Sequence, residues 1–244
     1  MVTCLYPLRM ACRGLRHGIA VLCLGWFACS VQAQALDIEL VAADAQGLTL
    51  LMTAPEATLQ PVPGTDSRWY LLDLPDASVK PVLGQPALPQ QGVLVGIPAE
   101  ARLTLTVLDA QYRDIADHAI VPSVPRQIPA DIPLWQIYDQ YIDRDFYARD
   151  DLLPAVPVSI GFQGQLRDQP VAQILFHPVQ VNPLTDTVRV YTQLRVRVVF
   201  DRPLISPASA DNNARITSVS AKRGQDPFAA MMRQSLLNAS QAGH

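Results

Sequence analysis

Three of the chain's four histidines follow residue 34: His118, His177 and His244. A zinc centre or a nucleophile–base pair would have to be assembled largely from these. His118 stands between Asp117 and the apolar run Ala119-Ile120-Val121, and reads as a strand-edge residue beside a loop carboxylate. His177, in Phe176-His177-Pro178, reads as a sheet residue next to a bulge or edge made by the proline. No Gly-x-Ser-x-Gly elbow, phosphate-cradling loop or dinucleotide fingerprint occurs. Asp139, Asp143, Asp145, Asp150 and Asp151 crowd one stretch, but without the glycine-turned spacing of a calcium loop. Three of them adjoin Arg144 or Arg149, the pattern of a solvated face. A pair of carboxylates placed for glycosidase chemistry can be drawn from any chain with 19 aspartates, so that signal is uninformative. These residues give no reason to expect an enzyme, a cofactor or a metal.

The cysteines point to a compartment instead. Cys4, Cys12, Cys23 and Cys29 all lie in a segment with Arg9, Arg13, Arg16 and His17 first, an apolar block from Gly18 to Cys29 next, and Val31-Gln32-Ala33 last. That order is a secretory signal peptide over residues 1–33, with cleavage between Ala33 and Gln34, or one step later after Ala35. The apolar block is about a dozen residues, against about 20 for a bilayer span, so no integral membrane span is expected after cleavage. Cys29 after Ala28 offers a lipid-anchor alternative, although Trp26 and Phe27 stand where a lipobox wants Leu and a small residue. The expected location is therefore the periplasm, the cell surface or the medium. Cleavage would leave 244 − 33 = 211 residues with no thiol, which packing alone would have to hold. Three of the 19 basic residues and none of the 22 acidic ones precede Gln34, so the remainder carries 16 − 22 = −6. That sign disfavours nucleic acid and anionic membranes as partners.

The elements that must position any site are strands. Leu36, Ile38, Leu40 and Ala42 alternate with polar residues, Gln46-Gly47 makes a turn, and Leu48, Leu50 and Met52 resume the alternation, which predicts a hairpin. Trp69 to Leu74, Val93 to Ile97 and Leu103 to Leu108 read as further strands. The clearest runs from Val188 to Phe200, with Val188, Val190, Thr192, Leu194, Val196, Val198 and Phe200 on one face. Its expected partner is Val171 to Val181, joined through Asn182-Pro183-Leu184-Thr185-Asp186. Such a face needs a second sheet to cover it, and 21 prolines punctuate the strands. The expected fold is an all-β antiparallel β-sandwich over residues 34–203. Two stretches break the pattern. One is a long Pro- and Tyr-rich loop between Val121 and Val158, of the length that is usually functional or disordered. The other is a polar linker over 204–225, followed by a short helix over 226–238 with Asp226 as N-cap and Pro227 at the first helical position.

Three stretches resemble the N-terminal propeptide domain of gingipain-type, caspase-like cysteine peptidases. They are Gly84-Gln85-Pro86-Ala87-Leu88-Pro89 with Leu94 to Ala101, Gly164-Gln165-Leu166-Arg167 leading to Val171-Ala172 and Pro178-Val179-Gln180-Val181-Asn182-Pro183, and Val188-Arg189-Val190-Tyr191 running into Arg195 to Val198. Asp168 and Val181 depart from the family's usual Gly and Tyr. The resemblance spans roughly Leu36 to Leu237. It implies a non-catalytic β-sandwich that covers the cleft of a secreted cysteine peptidase, as inhibitor and folding aid, by presenting a side chain suited to the specificity pocket. The stretch between Val121 and Val158 is the candidate loop, with Arg144 and Arg149 as its candidate side chains; both also balance neighbouring aspartates. The partner implied is a gingipain-type peptidase domain acting in trans or encoded by a split gene, because the chain stops at His244 where the catalytic domain is expected to begin. The alternatives are the truncated N-terminal part of a peptidase precursor, or an exported sandwich that binds an unrelated partner.

Overall fold

Alternation over 14 residues makes one strand the axis of the molecule. In the computed structural model, which describes residues 35–65, 68–127, 132–167, 169–203 and 234–240, this is β12 (Thr187–Phe200). Val188, Val190, Leu194, Val196 and Val198 are fully buried along it and Phe200 nearly so; a register shift between Tyr191 and Gln193 breaks the period there, so that Tyr191 is buried and Thr192, expected on the apolar face, is half-buried. At about 3.3 Å per residue the strand is roughly 45 Å long, too long for one small sheet to cover.

The first sheet runs β1 (Asp37–Asp44), β2 (Gly47–Thr53), β12, β11 (Val179–Asn182), with β7 (Leu103–Ile115) along the other side of β12. All its pairings are antiparallel. The hairpin predicted at Gln46-Gly47 is β1–β2, with Asp44 opposite Gly47. The second sheet runs β5 (Ser78–Val79), β6 (Pro89–Gly96), β10 (Gln169–Phe176), β9 (Val158–Leu166), again antiparallel. It covers the C-terminal half of β12: Val95, Ile97, Ala172, Ile174 and Phe176 interlock with Leu48, Leu50, Met52, Leu194, Val196 and Val198. A third sheet of β3 (Thr58–Pro61), β4 (Trp69–Asp73) and β8 (Ala119–Ile120) contains the one parallel pair among the described strands, β4 with β8. It covers the N-terminal half: Leu59, Tyr70, Leu72 and Ile120 cluster with Val179, Val181, Val188 and Val190. The all-β class is as expected, with one strand lying under two covers in series.

One expected pairing is corrected. Val171 to Val181 is not a single partner of β12: β10 ends at Phe176 in the second sheet, and β11 begins at Val179 in the first. The chain changes sheets at His177-Pro178. Pro178 has no N–H for a ladder, and its carbonyl instead accepts from Tyr191 N at 2.8 Å, while His177 N donates to Pro157 O at 2.8 Å.

The stretch between Val121 and Val158 is not structureless. It holds α1 (Leu134–Tyr141) and α2 (Arg144–Tyr147). The predicted cleavage residues Ala33 and Gln34, the leader, the linker over 204–225 and residues 226–233 of the predicted helix lie outside the described residues.

Candidate functional site

The Pro- and Tyr-rich excursion is positioned from two ends. At the front is Gly84, whose φ of +80° suits glycine. A Cβ here would fall against the Tyr141 carbonyl and 2.9 Å from Asp143 N. With no side chain in the way, Gly84 N donates to Ser123 O (2.9 Å) and Gly84 O accepts from Asp143 N (3.0 Å). Gln85 adds a bond from Nε2 to the Asp143 carboxylate (3.0 Å), and its carbonyl accepts from Ser123 N (2.8 Å). Asp143 also caps α2, accepting from Phe146 N at 3.0 Å. Its carboxyl is held below the usual carboxylate range, by Gln85 first and then by the Phe146 N–H.

At the back, Leu153 and Val181 exchange both backbone hydrogen bonds, at 2.7 and 2.9 Å. Gln180, 2% exposed, donates to Pro154 O (2.6 Å) and accepts from the Tyr191 hydroxyl (2.7 Å). Asn182 donates to the Asp150 carboxylate (3.0 Å), and Leu184 N donates to Arg149 O (3.2 Å). Between the two clamps lies an aromatic cluster. Tyr138 of α1 lies 6.4 Å from Trp69 and the Tyr147 ring meets Trp69 edge-on at 5.6 Å. The Tyr147 hydroxyl donates to Ile120 O at 2.6 Å. Burial pushes the pKa of Tyr138 up, and burial followed by the Asp186 charge pushes that of Tyr147 up.

What this scaffold presents is cationic and apolar. Arg144, on α2, is exposed and pairs with the exposed Asp139 at 3.0 Å. A pair of this kind contributes about 0–1 kcal/mol and is readily exchanged for another carboxylate. Arg149 is exposed, and its side chain forms no ion pair with a described residue. Its backbone is pinned on both sides, N–H to Phe146 O (3.2 Å) and carbonyl to Leu184 N. Leu134 and Trp135 of α1 are 43% and 53% exposed. Sequence reasoning missed them as surface groups; the signal available was an apolar pair directly after Pro133, where a short helix begins.

Neither histidine builds a reactive centre. The His118 ring stacks on Tyr70 at 4.0 Å, with Nδ1 2.6 Å from Ala116 O. His177 Nε2 lies 3.0 Å from Ser159 Oγ, and burial lowers its pKa. Among the described residues no three His, Cys, Asp or Glu side chains converge as metal ligands, and no helix is long and apolar enough to cross a membrane.

Among the described residues, polar side chains of the sandwich hold the excursion at both ends. The family model Propeptide_C25 matches residues 75–225, and the chain belongs to that family, a family of propeptide rather than catalytic domains. Two solved structures share the fold. "Complex of Porphyromonas gingivalis RgpB pro- and mature domains" superposes with a TM-score of 0.62 at 18% identity, covering 83% of this chain and 96% of that one. "Structural insight into zymogenic latency of gingipain K from Porphyromonas gingivalis" gives 0.52 at 16%, covering 70% and 95%. A comparison with curated proteins returned no match. The stretches that carry the resemblance now have a physical job: Gly84-Gln85-Pro86 is the front clamp of the excursion and Val179 to Asn182 the back clamp.

Proposed function

We propose that this domain is exported, loses residues 1–33, and covers the active-site cleft of a gingipain-type cysteine peptidase as a non-catalytic restraint. The peptidase is met in trans or as the product of a split gene. The covering body is the sandwich of residues 34–203, and the excursion clamped between Gly84 and Val181 is the part that enters the cleft. The observation that carries the reading is Arg149: an exposed guanidinium with no carboxylate partner among the described residues, on a backbone fixed from both sides. Such a side chain has little backbone freedom to lose on binding, and it suits bidentate pairing in an acidic specificity pocket. Arg144 is the second candidate, since it must first leave Asp139. Leu134 and Trp135 supply apolar contact area beside them.

The test is titration of a gingipain-type peptidase with the purified chain, reading residual hydrolysis of a small substrate. Dose-dependent inhibition that Arg149→Ala weakens by more than about tenfold, roughly the 1.4 kcal/mol of one charged hydrogen bond, is the expected result. No inhibition and no co-purification with the enzyme would remove the reading.

A further inference from the structure

The second sheet carries a separate device on its flank. β6 is joined to β5 only through Pro89 and Gln90, whereas β10 pairs with it from Gln91 to Gly96. Its far side at Leu94–Gly96 is taken up by a segment from the other end of the sequence. Leu236 forms a parallel bridge to Leu94, and Leu237 N donates to Leu94 O at 3.0 Å. Asn238, fully buried, then pairs its side-chain amide with the Gly96 backbone: Oδ1 accepts from Gly96 N at 2.7 Å and Nδ2 donates to Gly96 O at 2.9 Å. The amide stands in for a strand backbone. Leu236, 4% exposed, packs with Val171, Leu94, Leu166 and Ala239 in a cluster apart from the sandwich core. Leu94 and Val171 alternate along their strands with the core residues Val95 and Ala172, which places this cluster on the outer face of the sheet.

We propose that the β6 edge is a peptide-binding site that reads Leu-Leu-Asn presented in a turn, closed by Ala239 N donating to Leu236 O at 3.3 Å and with Leu237 against the sandwich core, and that the chain's own Leu236–Asn238 is its ligand. Both halves of the recognition are selective. The apolar cluster takes a branched aliphatic residue, and Gly96 requires one group that accepts and one that donates, which Asn offers and Asp does not. Thirty residues, 204–233, separate this ligand from the last described strand segment. The proposal requires that a cut between 204 and 233 leave the C-terminal piece bound through Leu236 and Asn238. The match to the propeptide family ends at residue 225, short of this ligand, and the inference holds whether or not the domain restrains a peptidase.

The full chain with a site-specific protease sequence inserted between Ser220 and Ala221 tests this. After cleavage, the piece ending at His244 is expected to co-elute with the domain in gel filtration. With Asn238→Asp, which keeps the shape and removes the donor, release should be at least about tenfold faster, and Leu236→Ala should act in the same direction while circular dichroism remains that of the parent. A labelled synthetic peptide of residues 234–244 should bind the cleaved Asn238→Asp chain after its own piece has been removed, and not the uncut parent. Separate elution of the piece from the cleaved parent, equal retention with Asn238→Asp, or equal peptide binding to the uncut parent would overturn the proposal. So would an uncut chain that runs as a dimer and becomes a monomer with Asn238→Asp, since the ligand would then sit on a neighbour's β6 edge.

Discussion

β12 lies under two covers that hold to it by different means. Over its C-terminal half the contact is dry: Leu50, Met52, Phe176, Ile174, Leu194 and Val196 are all fully buried, and hydrophobic area does the work. Over its N-terminal half a smaller apolar cluster is extended outward by the excursion, which is tied down by individually placed hydrogen bonds at Gly84, Gln85, Asp143, Leu153 and Gln180. Burial needs a covered surface, whereas a clamp of hydrogen bonds fixes a segment while leaving its outside free. The excursion therefore offers Leu134, Trp135, Arg144 and Arg149 to solvent on a fixed frame.

The sharpest way to break this contrast is to damage each half by its own means. Phe176→Ala in the dry half removes a fully buried ring, and the cavity should cost about 3–5 kcal/mol of global stability. Chemical denaturation should show a lower midpoint with the slope unchanged. If the loss fell below about 1 kcal/mol, the second sheet would not be the main cover of β12.

Gly84→Ala strikes the other half. It combines a left-handed φ with a Cβ directed at the Tyr141 carbonyl, a strain of about 1–3 kcal/mol. Because the strain sits in a clamp, amide exchange should quicken from Leu134 to Arg149 while Leu194, Val196 and Val198 keep their protection. Uniform loss of protection would mean that the two halves unfold as one unit.

These two halves were not equally legible in the sequence. The dry half could be read from alternation: β12, and the β1–β2 hairpin at Gln46-Gly47, follow from period two and one turn signal. Alternation states which face is buried but not which sheet a strand joins. Val171 to Val181 therefore read as one strand, although Pro178 marks the crossing between sheets. The clamped half gave less. α1 is eight residues long, starts after Pro133 without a side-chain cap and has no acidic residue in its first turn, so the usual start signals are missing. Arg144 and Arg149 could be named from composition. What distinguishes them could not, because the Asp139 pairing and the Leu184 bond to Arg149 O are made across turns of the folded chain. Gly84-Gln85-Pro86 was visible as a motif, but its work as a clamp depends on Ser123 and Asp143, far off in sequence.

A smaller effect sharpens the contrast at the crossing point between sheets. Burial lowers the pKa of His177 below its ordinary value, so the folded state binds this proton less readily than the unfolded chain. The stability this gives is present above about pH 6.5, the unfolded value, and is lost as pH falls through the folded one. Asp44, Asp114 and Asp143 are lowered too, by hydrogen bonds from Arg197, Arg189 and Gln85 in turn. Their contribution fades only below about pH 4, so the windows separate. Melting temperatures from pH 7.5 to 5 should fall for the parent and fall less for His177→Gln. Identical slopes would place His177 in water in both states.

The smallest expected effect on stability is also the most informative about the clamped half. Among the described residues, exposed Arg144 pairs with exposed Asp139 and Arg149 forms no ion pair. Replacing either with Ala should move the unfolding midpoint by less than the equivalent of about 1 kcal/mol. If the excursion exists to present these cations, the same two variants should weaken the proposed inhibition, Arg149→Ala more than Arg144→Ala. Gly84→Ala should weaken it as well, although both arginines are intact, because their frame has moved. A domain in which Arg149→Ala lost stability but kept inhibition would have the roles reversed, with the arginine serving the fold and some other surface facing the partner. Loss of inhibition in Gly84→Ala but in neither arginine variant would assign recognition to Leu134 and Trp135, which share that frame.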